Sequence, residues 1–284
     1  MGKRTRQQIY VEIPIRTSLD RLWQLSQDPA LHPRWDLRFT AIHHVDPAPG
    51  SPPAIEGTPD QPRQFRYEFR LPFHTIHGTG TSLGSRVSAN GSATSVLKFS
   101  TSDVLSPIGP GAGYWRYLPF DGGVRFITGY HFQPGWGAAG KFLDAGLLRP
   151  AIGWATAVSF DRLRLWAEHD VDPGSARTAW LIDTAARAAA AGVAVLALRA
   201  AVQRTRIDGV PGSASGSAAL AVGLLAAARW VPASARVPRA ARCSRTTTDR
   251  AARRPPSALA GLADPAGLAD RAGLAGLAGL RKPA

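Results

Sequence analysis

The sequence predicts an α+β helix-grip chain: an antiparallel sheet of about six to seven strands wrapped around a long C-terminal helix, followed by a low-complexity tail. Three observations carry this. Apolar residues alternate with period two in several short runs between residues 9 and 132. Gly, Asn, Asp and Pro punctuate those runs at turns. After Pro134-Gly135 the period becomes helical, and a lone long helix beside an antiparallel sheet must pack on its concave side to bury both apolar faces.

The first strand is Ile9, Val11, Ile13 and Ile15 alternating with Tyr10, Glu12 and Pro14, where Pro14 favours an edge or a strand end. Thr17-Ser18-Leu19-Asp20 has a helix-start pattern, with Leu19, Leu22 and Trp23 on one face. Asp28-Pro29 stops that helix. A second short helix is expected through Leu31–Trp35, then a strand at Leu37–Val45. Six prolines make residues 46–62 a loop. Phe65, Tyr67, Phe69 and Leu71 then share one strand face, with Arg66, Glu68 and Arg70 on the other. A strand is expected at His74–Leu83, and Asn90-Gly91 signals a hairpin into Ala93–Thr101. Pro107–Gly113 reads as a loop and Tyr114–Leu118 as a strand. Asp121-Gly122-Gly123 turns into Val124–Phe132, whose even-numbered residues share a face. Trp136–His169 reads as helix, kinked or restarted at Pro150.

The chain has 284 residues, 34 Lys+Arg against 20 Asp+Glu, and one Cys, for a formal charge of +14. The charge is unevenly spread. Residues 1–172 carry a net +3 and residues 173–284 a net +11. All Phe, Tyr and His lie in the first part, which therefore has a core to build; the Ala-rich second part has little. High charge is thus weak grounds for a specific nucleic-acid partner. One Cys excludes a disulfide scaffold and a multi-Cys zinc site. The basic N-terminus runs into a strand without an apolar signal region, so a cytoplasmic protein is expected.

Leu22-Trp23 followed by Leu31-His32-Pro33-Arg34-Trp35-Asp36, together with the stretches Gly111–Tyr117, Arg125–Tyr130, Gly153–Ala157 and Phe160–Trp166, resembles the START-like, polyketide cyclase/dehydrase-like superfamily called SRPBCC. The resemblance covers about residues 7–170. It implies the helix-grip fold and a cavity for a hydrophobic ligand between sheet and helix. Only some members are enzymes, and no universal catalytic residue comes with the resemblance.

The inward strand faces supply the ligand-binding residues expected: Phe65, Tyr67, Leu97, Phe99, Phe126, Thr128 and Tyr130, closed by Trp154 and Val158 of the helix. The same residues also serve as plain core. Thr128 and Tyr130 carry hydroxyls that need partners, from a ligand or from within the protein. Arg116, between Trp115 and Tyr117, joins the list as an anion anchor, although a surface Arg stacked on an aromatic ring is the commoner case. His74-x-x-His77 places its imidazoles on opposite faces of a strand, so no metal is expected. The Gly78/Gly80/Gly84 and Gly109/Gly111/Gly113 runs lack a nucleotide-binding spacing and read as turns and bulges. His131, Asp103 and Glu68 form no nucleophile–base pattern. No cofactor is expected.

In the tail, Ala188–Leu198 and Ala218–Ala228 are apolar runs of 11 bounded by Arg, short of the roughly 20 residues that span a bilayer. The tail has room for short helices at 179–202 and 217–230, and weak membrane association through 179–230 as amphipathic helices. The rest is expected to be disordered, and its period-six repeat from Ala260 is low-complexity sequence. The expected function is binding of a hydrophobic or aromatic small molecule. Alternatives are a cyclase, aromatase or dehydratase, and a membrane-associated or interaction protein acting through the basic tail. The sequence leaves the oligomeric state open.

Overall fold

A computed structural model describes residues 8–45, 63–88, 91–208 and 215–249. These fall into two compact units: residues 8–170 with 239–249, and residues 171–238.

The first unit has the helix-grip fold. Its strands are β1 (Ile9–Ile15), β2 (Ala41–His44), β3 (Arg63–Arg70), β4 (Thr75–Val87), β5 (Ala93–Ser100), β6 (Ile108–Phe120) and β7 (Gly123–Pro134). All pair antiparallel in the order β1-β7-β6-β5-β4-β3-β2. Helices α1 (Leu19–Gln27) and α2 (His32–Trp35) sit between β1 and β2. Helix α3 (Gly137–Leu143), a π turn (Asp144–Leu148) and α4 (Arg149–His169) follow β7.

Local chemistry sets these boundaries. The Ser18 hydroxyl accepts the Arg21 amide at 3.2 Å and caps α1. Pro150 occupies the first turn of α4, where its missing N–H costs nothing. The interruption expected at Pro150 takes the form of a π turn just before it, between α3 and α4. Asp170 takes φ 50° at the end of α4, and its amide reaches the Leu165 and Trp166 carbonyls. Gly122 takes φ 80° in the β6–β7 hairpin.

Two strand assignments need correction. Residues 37–40 are not strand, because the Asp36 side chain takes the Arg38 amide at 3.0 Å and its carbonyl takes the Phe39 amide. Residues 108–113 are not loop. They begin β6, pairing Gly111 with both Phe99 and Phe132. The glycines there defeat a strand reading because their role shows only across the sheet. Phe65, Gly80, Phe99, Gly111 and Phe132 are successive partners on five strands, an alternating aromatic–glycine row. Tyr67 pairs with Gly78 in the next row. A Cβ at Gly111 would stand 2.5 Å from the Phe99 ring, and one at Gly78 or Gly80 would collide with Tyr67 or Phe65. The missing side chains let the rings lie flat on the sheet. Register shifts do occur at Ser82/Gly84 and Ile108/Gly111, so the bulges expected near these runs are also present. Asn90, residues 46–62 and the period-six repeat lie outside the described residues.

The core lies between α4 and the β1, β7 and β6 part of the sheet. Val124, Phe126, Tyr130 and Phe132 of β7 meet Ala157, Phe160 and Leu163 of α4, with Trp35 of α2 between them. Trp35 donates from Nε1 to the Leu25 carbonyl at 2.8 Å, tying α2 to α1. The Arg162 guanidinium donates to the Arg34 and Trp35 carbonyls at 2.8 and 3.0 Å and fixes the end of α2 on α4.

The tail departs most from expectation. Residues 239–249 pack on the first unit. The Arg239 amide and the Arg242 guanidinium each donate to Asp161 at 2.7 Å. Cys243 is buried, with its thiol donating to the Ala157 carbonyl. Glu12 and Ser244 exchange two backbone hydrogen bonds of 2.9 Å, covering part of the β1 edge. Arg125 and Asp249 pair at 2.7 Å.

The second unit is a helical hairpin of α5 (Pro173–Asp208) and α6 (Ser215–Trp230). Arg187 of α5 donates to the Ala228 and Val231 carbonyls at the end of α6, and Arg204 to the Ser217 hydroxyl near its start, so the helices run antiparallel. Both helices are longer or shifted relative to 179–202 and 217–230. Helix α5 is long and apolar enough to cross a membrane, with little of its apolar window buried.

Candidate functional site

The chain leaves α2 through a tight turn that carries two ionisable side chains inward, beside His32 of α2. Asp36 is fully buried. Arg38 grips it with Nε on Oδ1 at 2.9 Å and Nη2 on Oδ2 at 2.6 Å, a bidentate fork. His32, one helical turn earlier, reaches Oδ2 from Nε2 at 3.1 Å. Burial pushes the Asp36 carboxyl up, but the Arg38 charge and the hydrogen bonds from Arg38 and His32 outweigh it and hold it well below the carboxylate range. Burial holds His32 below its ordinary value, so its ring is neutral and carries its proton on the nitrogen facing Asp36. That ring stacks on Trp35 at 4.8 Å and meets Trp115 and Phe39 edge-on.

Arg38 extends across the Tyr130 ring of β7, 5.3 Å from its centre. Thr156 of α4 donates to the Ile152 carbonyl at 2.8 Å, so its hydroxyl oxygen accepts the Tyr130 proton at 2.7 Å. Burial raises the Tyr130 phenol and keeps it neutral. His32, Asp36, Arg38, Tyr130 and Thr156 thus link α2, the sheet and α4 by charge and hydrogen bonds.

Beside this cluster the inner face of the sheet carries half-buried side chains. Phe39 and Tyr67 meet edge-to-face at 5.6 Å, and Arg38 lies 5.6 Å from the Phe39 ring. Phe65, Tyr67, Leu97 and Phe99 occupy the inner positions of β3 and β5 and are half-buried rather than buried. Helix α4 covers the other half of the sheet. These side chains form an aromatic floor over β3–β5 with Arg38 at its inner edge, outside the main core beneath α4. The loops at one end carry further exposed apolar side chains: Phe73 between β3 and β4, Val104 and Leu105 between β5 and β6, and Trp136 before α3. Two surface clefts of about 550 and 600 Å³ lie elsewhere, one beside Ile13, Arg164 and Arg242 and one beside Pro33 and Ala41–His44.

The sequence-derived site residues divide accordingly. Phe65, Tyr67, Leu97 and Phe99 come together on the floor. Phe126 and Val158 are buried, Phe126 within the main core. Thr128 is buried, and its hydroxyl donates to the Tyr114 carbonyl at 2.9 Å. Tyr130 borders the floor, with its proton committed to Thr156. Trp154 lies on α4 and is 41% exposed. Arg116 lies on the outer face, stacked 5.4 Å from the Tyr114 ring, since it alternates with the inward Trp115 and Tyr117. His74 pairs with Asp103 at 2.7 Å while His77 sits beside Glu68. Sequence reasoning missed His32, Asp36, Arg38 and Phe39. The Asp36-x-Arg38 spacing after a Trp was their only signal.

No family model matches the sequence. A protein of Bacillus subtilis (strain 168) described as "Uncharacterized membrane protein YndG" is 38% identical over 167 residues, which make up 58% of this chain. The chain spans 59% of the length of that curated relative. A STAR-related lipid transfer protein from Xanthomonas axonopodis is similar in fold at 14% identity and TM-score 0.34, covering 45% of this chain and 70% of that one. The Zhui aromatase/cyclase from Streptomyces sp. R1128 is similar at 9% identity and TM-score 0.36, covering 57% and 88%. The sheet order and long helix described above are the helix-grip arrangement that the sequence resemblance implied.

Proposed function

We propose that residues 8–170 bind a hydrophobic or aromatic small molecule on the floor over β3–β5, and that the α5–α6 hairpin holds this domain at a membrane. One observation supports the first part above all. Phe39, Phe65, Tyr67 and Phe99 face inward, Phe65, Tyr67 and Phe99 lie over glycines, and all four are only half-buried. Folded domains bury inward aromatics, so rings left partly open on a concave face fit a ligand surface. Arg38 at its edge gives a cationic face to a ligand's aromatic ring or polar end.

Placing the ligand here revises the site expected between sheet and α4, because that space is filled by Trp35, Phe126 and Phe160. The membrane reading is supported by exposed Leu181, Ile182, Leu196, Leu220 and Val222 on the hairpin, and it takes the place of a freely cytoplasmic protein. A cyclase-type enzyme remains the second reading, favoured only by the charged cluster beside the floor.

Titration with an apolar fluorescent probe tests the ligand reading. Wild-type protein should bind it, and Gly80→Val, which lifts Phe65 off the sheet, should weaken binding at least tenfold. Equal binding by both proteins would reject the floor as the site.

A further inference from the structure

We propose that the α5–α6 hairpin enters and leaves the bilayer from the side on which the helix-grip domain stands, so that residues 239–249 face the same compartment as the domain. This inference rests on the membrane reading above and fixes its topology.

The lipid-facing chemistry comes first. Helix α5 carries exposed Leu181, Ile182, Val193, Val195, Leu196 and Leu198. Its early part also holds Asp183 and Arg187, which an apolar medium would oppose singly. They are four residues apart and pair through two contacts, at 2.8 and 3.0 Å. Arg187 also donates to the Ala228 and Val231 carbonyls, groups that the end of α6 leaves without helical partners. The charge that argued against insertion is therefore neutralised within the hairpin. Trp180 precedes this level on α5, and Trp230 ends α6 near the same level. Trp residues towards the open end of a hairpin suit a headgroup boundary.

The return of the chain decides the topology. A single crossing by α5 would place everything after it on the far side. Yet Arg239 and Arg242 bind Asp161, Ser244 pairs with Glu12, and Asp249 pairs with Arg125. Asp161 is fully buried and Cys243 lies in the core cluster. One crossing would break every one of these contacts and leave Asp161 with Arg164 alone. An even number of crossings keeps them all. Helix α6 has 16 residues and rises about 24 Å, less than the roughly 30 Å hydrocarbon core. Two short crossings and a shallow re-entrant hairpin both satisfy the contacts, and both return the chain to its starting side.

The test uses the full chain in a Cys243→Ser background. A new thiol is placed either at the β6–β7 hairpin by Asp121→Cys or on the return segment by Arg245→Cys. Sealed vesicles are treated with a membrane-impermeant maleimide, with and without detergent. The two thiols should show the same accessibility, both reacting before detergent or both only after it. One reacting in sealed vesicles and the other only in detergent would overturn the topology. Protease protection of epitopes at Met1 and Ala284 in the otherwise unmodified chain checks the same point if the Cys243→Ser protein folds poorly. Alkaline carbonate washing separates the two ideas. Release of the wild-type chain would defeat the membrane reading itself, whereas retention with unlike thiol accessibility would defeat only the topology.

Discussion

The Cys243 thiol donates to the Ala157 carbonyl, so a residue from the Arg- and Ala-rich tail completes the core against the middle of α4. Asp161, one turn further along α4, holds that segment through Arg239 and Arg242. Asp161→Ala removes both anchors and leaves Arg164 with Glu168 alone. Burial pushes the Cys243 thiol up to about 12, so it reacts slowly in the native protein. The variant should expose Cys243 to Ellman's reagent at least tenfold faster and lose about 2–4 kcal/mol of stability. Unchanged thiol reactivity would show that Asp161 does not hold the segment.

The aromatic–glycine row predicts a steric cost at its centre. Gly111→Val sets a side chain against the Phe99 ring and the His131 carbonyl, each 2.5 Å from the new Cβ. Backbone cannot yield easily there, so a loss of about 1–3 kcal/mol in urea unfolding is expected. The same change at Gly146, with nothing near its Cβ, should cost less.

The buried imidazole predicts an acid limb in stability. Burial lowers the His32 pKa below 6.5, with the Asp36 hydrogen bond and charge opposing and the Arg38 charge adding. Below pH 6.5 the unfolded chain therefore binds a proton that the folded one refuses, and stability falls as pH falls towards the folded pKa. Asp36 acts in the same sense, but only below its ordinary value of 3.8. Besides Asp36 and Arg38, the neighbours of His32 are the Trp35, Trp115 and Phe39 rings. The melting temperature should fall between pH 7 and pH 5, and the fall should be smaller in His32→Phe. Parallel profiles would assign the limb to another group.

Thr128 separates core from ligand surface. Its hydroxyl is used on the Tyr114 carbonyl, so Thr128→Val should cost about 1 kcal/mol and leave apolar-probe affinity unchanged. A loss of affinity at constant stability would return Thr128 to the ligand site.

The strands were legible wherever one face repeats with period two. Val124 to Phe132 shows this clearly, and its even-numbered residues do face the core or its edge. The start of β6 was not, because Gly109, Gly111 and Gly113 acquire meaning only from the rings on neighbouring strands. The β3 and β5 residues of the floor were legible as inward apolar side chains, and Phe39 was not. Asp36 and Arg38 were not, since a turn aims them and no periodicity marks a turn's side chains. The return segment was invisible for a different reason. Cys243 is the only apolar residue between Ala241 and Asp249, and one residue makes no pattern. Its partner signal, a fully buried Asp on α4, is readable only once the fold is known.

The central claim is that the floor over β3–β5 holds a hydrophobic ligand. Native mass spectrometry of the full chain released from detergent tests it most directly, comparing wild type with a Tyr67→Ala, Phe99→Ala double variant that remains folded by circular dichroism. The account predicts a bound apolar molecule in the wild type and its loss in the variant. A bare wild-type chain that also fails to take up added apolar probe, or an adduct retained equally by both proteins, would contradict it.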